Sequence, residues 1–422
     1  MRLPPGLPLI SSVLSVLLTL TSCVDSFDQT LRGTVNVVVV DGTITNLAEP
    51  QLIRLNRSKA DPVTGLFGTT PITKATVEVV VDSTQVIAAP ETIDGTYRLP
   101  GDFKGQIGHA YQLRFTLSDG DRYESDQQVL QPVPPIGRVY QQFNPVSLPA
   151  QRPDGMASLI RGASDVYVDW QDPASERNYY RWEWKLWERQ DWCRSCGLGF
   201  YLIWNPSDTR QLYEDCYTPR STGTPYGPSQ PYFVNEYLCR TRCWEILYSY
   251  DLNLFNDELS NGGQLTGRRV AQIPYYQDRG CLVEIRQSSL TQKAHSYFEL
   301  LQQQTQNTGG IADSPPAIPI GNVRNVANGR ETTVGFFTAS AVAAERYWLD
   351  RRDATGQPPG LFRGMTGLYP SPENILVDPN DDRGKPSIPS DVGAKNFLIR
   401  PPTAICVSSD SRTPFKPIGW RD

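Results

Sequence analysis

Hydrophobic residues recur at every second position through much of the chain, and a period of two predicts strands. Val77, Val79 and Val81 share one face across 75–81, and Tyr111, Leu113, Phe115 and Leu117 share one across 111–117. Val35 to Val40 is a dense β-branched run. Gln51 to Leu55 sets Ile53 and Leu55 against Leu52 and Arg54. Asp41-Gly42, Asp94-Gly95 and Asp119-Gly120 offer turns between such runs, because glycine reaches positive φ freely and Asp bonds its own backbone. Short alternating strands with these turns predict an immunoglobulin-like β-sandwich over residues 31–130.

Gln131-Pro132-Val133-Pro134-Pro135 opens a stiff linker, 131–150, because each proline holds the preceding residue extended. Residues 151–422 then predict a larger β-rich domain with one or two helices. Its longest signal is Tyr179 to Trp187, with Tyr180, Trp182, Trp184 and Leu186 on one face and Arg181, Glu183 and Lys185 on the other. An aromatic face of this kind either stacks on sugars or fills a core. Gly335-Phe336-Phe337 predicts a further strand. Ser289 as cap, Gln292 three residues later, and Ala294, Phe298, Leu300 and Leu301 predict a helix that stops at Gly309-Gly310. Ser340 to Glu345 predicts a second, short helical turn.

The N-terminus departs from this alternation. Arg2 precedes a short apolar run, Val13, Leu14, Val16, Leu17, Leu18 and Leu20. The run is too short and too broken to span a bilayer and reads as a signal peptide over 1–22. Its end, Leu20-Thr21-Ser22-Cys23, resembles a bacterial lipobox, which implies lipidation of Cys23 as the first mature residue. The alternative is an ordinary secretory signal in which Cys23 carries nothing. Val24-Asp25-Ser26-Phe27-Asp28 lies in a short tether, 23–30, and resembles the acidic export signal of lipoproteins that face outward from the outer membrane.

Composition narrows the function classes. The 422 residues carry a formal net charge of −5 without a basic run, which argues against a nucleic-acid surface. The 35 Pro, 33 Gly and 20 Tyr favour strands and turns over long helices. The eight cysteines are Cys23 and the seven disulfide candidates Cys193, Cys196, Cys216, Cys239, Cys243, Cys281 and Cys406. In an exported chain, clustered cysteines point to disulfides before zinc. The zinc spacings Cys193-x-x-Cys196 and Cys239-x-x-x-Cys243 have no histidine near them, and seven is odd, so at least one thiol stays unpaired within the chain. A Cys-rich insertion over about 190–245 therefore reads as a cross-linked surface segment. Its aromatics Trp192, Trp204, Tyr226, Tyr232 and Phe233 are the binding candidates, because Trp and Tyr anchor desolvated contacts. No catalytic residues, metal ligands or cofactor motifs are assigned. His109 and His295 lie outside any nucleophile motif, and Asp378, Asp381 and Asp382 read as a solvated acidic loop.

The ordered set Ser22-Cys23-Val24-Asp25, Gly95-Thr96-Tyr97, Gly108 to Leu113, Trp170-Gln171-Asp172-Pro173, Tyr179-Tyr180, Ala294 to Phe298, Pro315-Pro316, Gly321-Asn322-Val323 and Gly335 to Ser340 resembles the Bacteroidota lipoproteins called domain of unknown function 4249. The ending, Cys406 with Lys416-Pro417-Ile418-Gly419-Trp420, resembles the family's close, except that Ser409 replaces its second cysteine. Cys406 must therefore be free or pair elsewhere. The Gly-x-Tyr and Tyr-x-Leu patterns also resemble transthyretin-like modules. The family resemblance implies an outer-membrane lipoprotein, lipid-anchored and facing outward, that works beside a TonB-dependent barrel, with its small ligand unspecified. The alternatives are a structural or assembly component of the envelope and an unrecognised glycan hydrolase.

Overall fold

The computed structural model describes residues 36–60, 67–150, 158, 160–174, 176–197, 199–204, 212–217, 234–305, 319–361 and 401–422. The chain is mainly β. In order the strands are β1 (Val38–Thr45), β2 (Leu52–Ala60), β3 (Phe67–Pro71), β4 (Thr76–Val81), β5 (Gln85–Ala89), β6 (Glu91–Ile93), β7 (Thr96–Arg98), β8 (Ala110–Thr116), β9 (Arg122–Ser125), β10 (Gln128–Val129), β11 (Ile136–Asn144) and β12 (Ala163–Gln171). There follow β13 (Tyr179–Gly197), β14 (Phe200–Trp204), β15 (Tyr213–Tyr217), β16 (Val234–Tyr248), β17 (Asn253–Asn256), β18 (Gln264–Pro274) and β19 (Cys281–Ser289). The single described helix, α1 (Gln292–Thr305), precedes β20 (Val323–Asn325), β21 (Thr333–Ser340), β22 (Val342–Leu349) and β23 (Arg412–Thr413).

The alternating faces of the first hundred residues close on each other as expected. One sheet has the order β21-β1-β2-β7-β6 and the other β20-β9-β8-β4-β5, with β3 and β10 as side pairs. Val40, Ile53, Leu55 and Tyr97 from the first meet Val79, Leu113 and Phe115 from the second in one core. Two details depart from the sequence reading. Asp41-Gly42 makes no turn: β1 runs straight through it, with Asp41 exposed and bonded to Arg54. The sandwich also takes β20 and β21 from beyond residue 320, so the strand at Gly335-Phe336-Phe337 pairs within its sheet: Phe337 enters this core, while Phe336 packs on Tyr297 and Phe298 of α1. β21 lies parallel to β1, Val38 opposite Thr333 through Thr45 opposite Ser340.

The family-like motifs around β21 explain that return. Gly335 has φ +97°, and a Cβ there would lie 1.8 Å from Val40 O. Only glycine tolerates that φ and that approach together. A Cβ on Gly321 would likewise lie 1.8 Å from Gly335 O. The Asn322 side chain behaves as a further strand, donating to Phe337 O and accepting from Phe337 N at 2.9 Å each.

The second layered unit sets β11-β12-β18 against β22-β19-β13-β16-β23, with β17 beside β13. Tyr180, Trp182 and Leu186 on β13 are almost fully buried with Trp170, Val283 and Ile285. Those three members of the stripe are therefore core, as the frequency of buried aromatics favours, while Trp184 stays partly exposed. Asp172 of the Trp-Gln-Asp-Pro motif is buried too, accepting from Tyr180 Oη at 2.7 Å and from Gly262 N at 3.1 Å. Burial raises its pKa against those two bonds.

The helix cap moves by two residues. Thr291 Oγ1 accepts from Ala294 N at 3.3 Å, whereas Ser289 ends β19 and donates to Gln131 O at 2.6 Å. Gly309-Gly310 lie outside the described residues. The short helix expected at 340–345 is instead the end of β21 and the start of β22, the latter paired along β19 from Ser288 to Cys281. Cross-strand pairing there outweighs the alanine-rich helical preference of Ala341, Ala343 and Ala344.

Candidate binding site

β13 and β16 run on together beyond the core, from Lys185 opposite Tyr248 to Gly197 opposite Val234. Register shifts at Trp192 bend this arm, as bulges do. Three disulfides fasten it. Cys193–Cys239 joins the two strands, Cys196–Cys216 ties β13 to β15, and Cys243–Cys406 ties β16 to the C-terminal segment. Cys406 thus finds its partner 163 residues away. Cys281 is not in a bridge: it is a free, buried thiol in the core around β19. Burial and then Glu188 push its pKa well up, so it is an inert core cysteine.

The Sγ atoms of Cys193, Cys243 and Cys406 lie within 4.8 Å of one another. All three are spent in disulfides, and the thiolate is the form that binds metal. The inner part of the arm is a small core in its own right, with Tyr201 and Tyr237 packed on the bridges. Tyr201 Oη accepts from Ile405 N at 3.2 Å.

The predicted binding aromatics separate. Trp192 is half-buried, with the Arg412 guanidinium 5.2 Å from its ring centre. Trp204 lies on the β14–β15 hairpin and stacks on Tyr213 at 6.3 Å. Tyr213 and Leu212 beside it are exposed, 44% and 66%. Tyr226, Tyr232 and Phe233 lie outside the described residues, as does Cys23.

A second feature was not legible in the sequence. A cleft of about 550 Å³ opens between β13, β17, β18 and the end of α1, lined by Trp184, Ser249, Asp251, Asn253, Arg268 and Gln272 among others. β18 is bulged there: Val166 faces Ala271 while Tyr167 faces Arg269, leaving Val270 as the extra residue. Arg268 lies against Trp182 and Phe255, 5.6 Å from each ring centre. Its Nη2 donates to Asn253 Oδ1 at 2.8 Å and to Leu254 O at 2.9 Å. Burial, and then Arg269, lower its pKa. The adjacent pair Arg268-Arg269 on a half-buried strand was the available signal.

The two histidines remain apart. His109 Nδ1 lies 2.6 Å from Asp82 Oδ2 at the surface, and His295 is buried against Tyr179.

The family model described as Domain of unknown function (DUF4249) matches residues 24–346. The chain belongs to this family. No curated protein and no solved structure matches it. Within this DUF4249 chain the matched region holds both sandwich sheets, the arm except for its C-terminal clasp, and the cleft. The clasp, Cys406 with Trp420 packed edge-on against Trp244 and Trp348, lies beyond the match.

Proposed function

We propose that this chain is a Bacteroidota outer-membrane lipoprotein, anchored outward through Cys23, that binds as an accessory partner of a TonB-dependent transporter. The observation that carries the reading is the cross-linked arm. Its hairpin presents Leu212, Tyr213 and Trp204 on strands held by Cys196–Cys216 and backed by Cys193–Cys239. A pre-ordered aromatic surface loses little entropy on docking. Trp and Tyr are the side chains that dominate interface energetics. The role is binding and not turnover, and the lipid at Cys23 would hold the arm at the membrane surface where the barrel opens.

The test is recovery of the lipidated protein from outer membranes with whatever it binds. A TonB-dependent barrel should accompany the native chain and be lost from a Leu212→Ser, Tyr213→Ser, Trp204→Ala variant that keeps its disulfides. A barrel recovered equally with both chains, or with neither, would sink the proposal. Cys23→Ala should abolish fatty-acid labelling.

A further inference from the structure

Several half-buried and buried arginines of this chain are paired with carboxylates. Arg286 meets Glu49 and Glu284, Arg351 meets Glu188, and Arg412 meets Glu245. Arg268, like Arg114, is not so paired. It is half-buried, and its only described hydrogen-bond partners are the neutral oxygens of Asn253 and Leu254. Its Nε is buried with no acceptor, and its Nη1 has none among the described residues. A desolvated guanidinium without a counter-charge is costly, and this one stands in the wall of the cleft.

We propose that the cleft is a binding site for an acidic sugar, with the carboxylate of a uronic acid residue seated on Arg268. Its volume lies within the roughly 300–1,000 Å³ of small-ligand sites. The charges select the class. Arg269 adds a second cation, loosely held 3.8 Å from Asp165, and the exposed Asp251 offsets one of the two. With Asp165 counted, the two carboxylates balance the two arginines, so a single carboxylate on Arg268 meets less repulsion than a doubly charged phosphate would. Nη2 is taken by Asn253 and Leu254 and Nε is buried, so Nη1 is the donor left for one carboxylate oxygen, in a charge-assisted hydrogen bond.

The rest of the wall suits the sugar's body. Trp184 is only partly buried and offers an indole for the apolar face of a pyranose. Ser249 Oγ accepts from Trp184 N, leaving its proton to donate. Gln272 sends its Nε2 to Ser147, leaving its Oε1 for a hydroxyl. No residue of the hairpin lines this site, and its assignment does not depend on what the hairpin meets.

The experiment is calorimetric titration of the full mature protein with trigalacturonate and with neutral galactotriose. The acidic sugar should bind at least about tenfold more tightly, as a charge-assisted hydrogen bond provides, and more weakly as salt rises. Arg268→Gln should erase the preference, and Trp184→Ala should weaken both sugars. Equal affinities, no binding of trigalacturonate, or an unchanged preference in Arg268→Gln would each overturn the assignment. Hydrogen exchange on the native chain gives a readout that needs no variant. Trigalacturonate should slow exchange at 249–253 and 267–272, and protection confined to other segments would overturn it as well.

Discussion

Replacing Cys243 and Cys406 together by serine should destabilise the second unit more than replacing Cys196 and Cys216. The reason lies in the loops the bridges close. Cys243–Cys406 spans 163 residues and Cys196–Cys216 spans 20. If a bridge acts by restricting the unfolded chain, its contribution grows with the logarithm of the loop, to about 5 kcal/mol for the long one and about 3 kcal/mol for the short one at 25 °C. Other contacts hold the C-terminal segment as well, among them backbone bonds of Ala404 with Leu238 and Arg240 and of Ser411 with Ile246, and both variants keep them. β23 pairs with β16 at two positions, and Arg412 bonds Glu245 Oε2 at 2.9 Å. Trp420 adds its edge contacts to Trp244 and Trp348. Equilibrium urea unfolding followed by tryptophan fluorescence reads the right part of the molecule, because all nine tryptophans lie from Trp170 onward and none in the first sandwich's own strands. The long-bridge variant should unfold at the lower urea concentration by a margin equivalent to about 2 kcal/mol. A short-bridge variant that loses as much or more would refute the loop argument.

Two further outcomes follow from buried charge. Arg351→Met should cost about 3–5 kcal/mol, because it strands Glu188, fully buried and otherwise bonded by Gln277, without its counter-charge. The double variant Glu188→Leu, Arg351→Met should regain most of that in thermal melting, and a single variant no worse than the double would contradict the reasoning. Burial holds the His295 imidazole below its usual 6.5 despite the opposing pull of Glu299. The unfolded chain then takes up a proton that the folded chain resists, so His295 costs no stability above 6.5 and erodes it as the pH falls through and below that value. His295→Gln should flatten this acid limb of the melting curve, and an unchanged limb would exclude His295 as its source.

Local chemistry in the sequence determined the strands and several of their turns. Alternation at 111–117 and 179–187 names the buried faces because neighbouring side chains on a strand point to opposite sides whatever lies beyond them. Gly95 and Gly120 turn with positive φ, as their Asp-Gly pairs imply. The clustered cysteines, with no histidine near them in sequence, announced disulfides before zinc. Tertiary structure decided everything that joins distant segments. Spacing does not specify that Cys406 reaches Cys243, nor that Cys281 is left alone. Alternation does not say that β21 returns some 290 residues to lie parallel to β1. That docking depends on Gly335 passing under Val40 and on Asn322 bridging to Phe337. Nor does it reveal the cleft, which exists because a bulge in β18 sets Arg268 against Trp182 and Phe255. A bulge is a mismatch between two strands, and neither strand's sequence contains it alone.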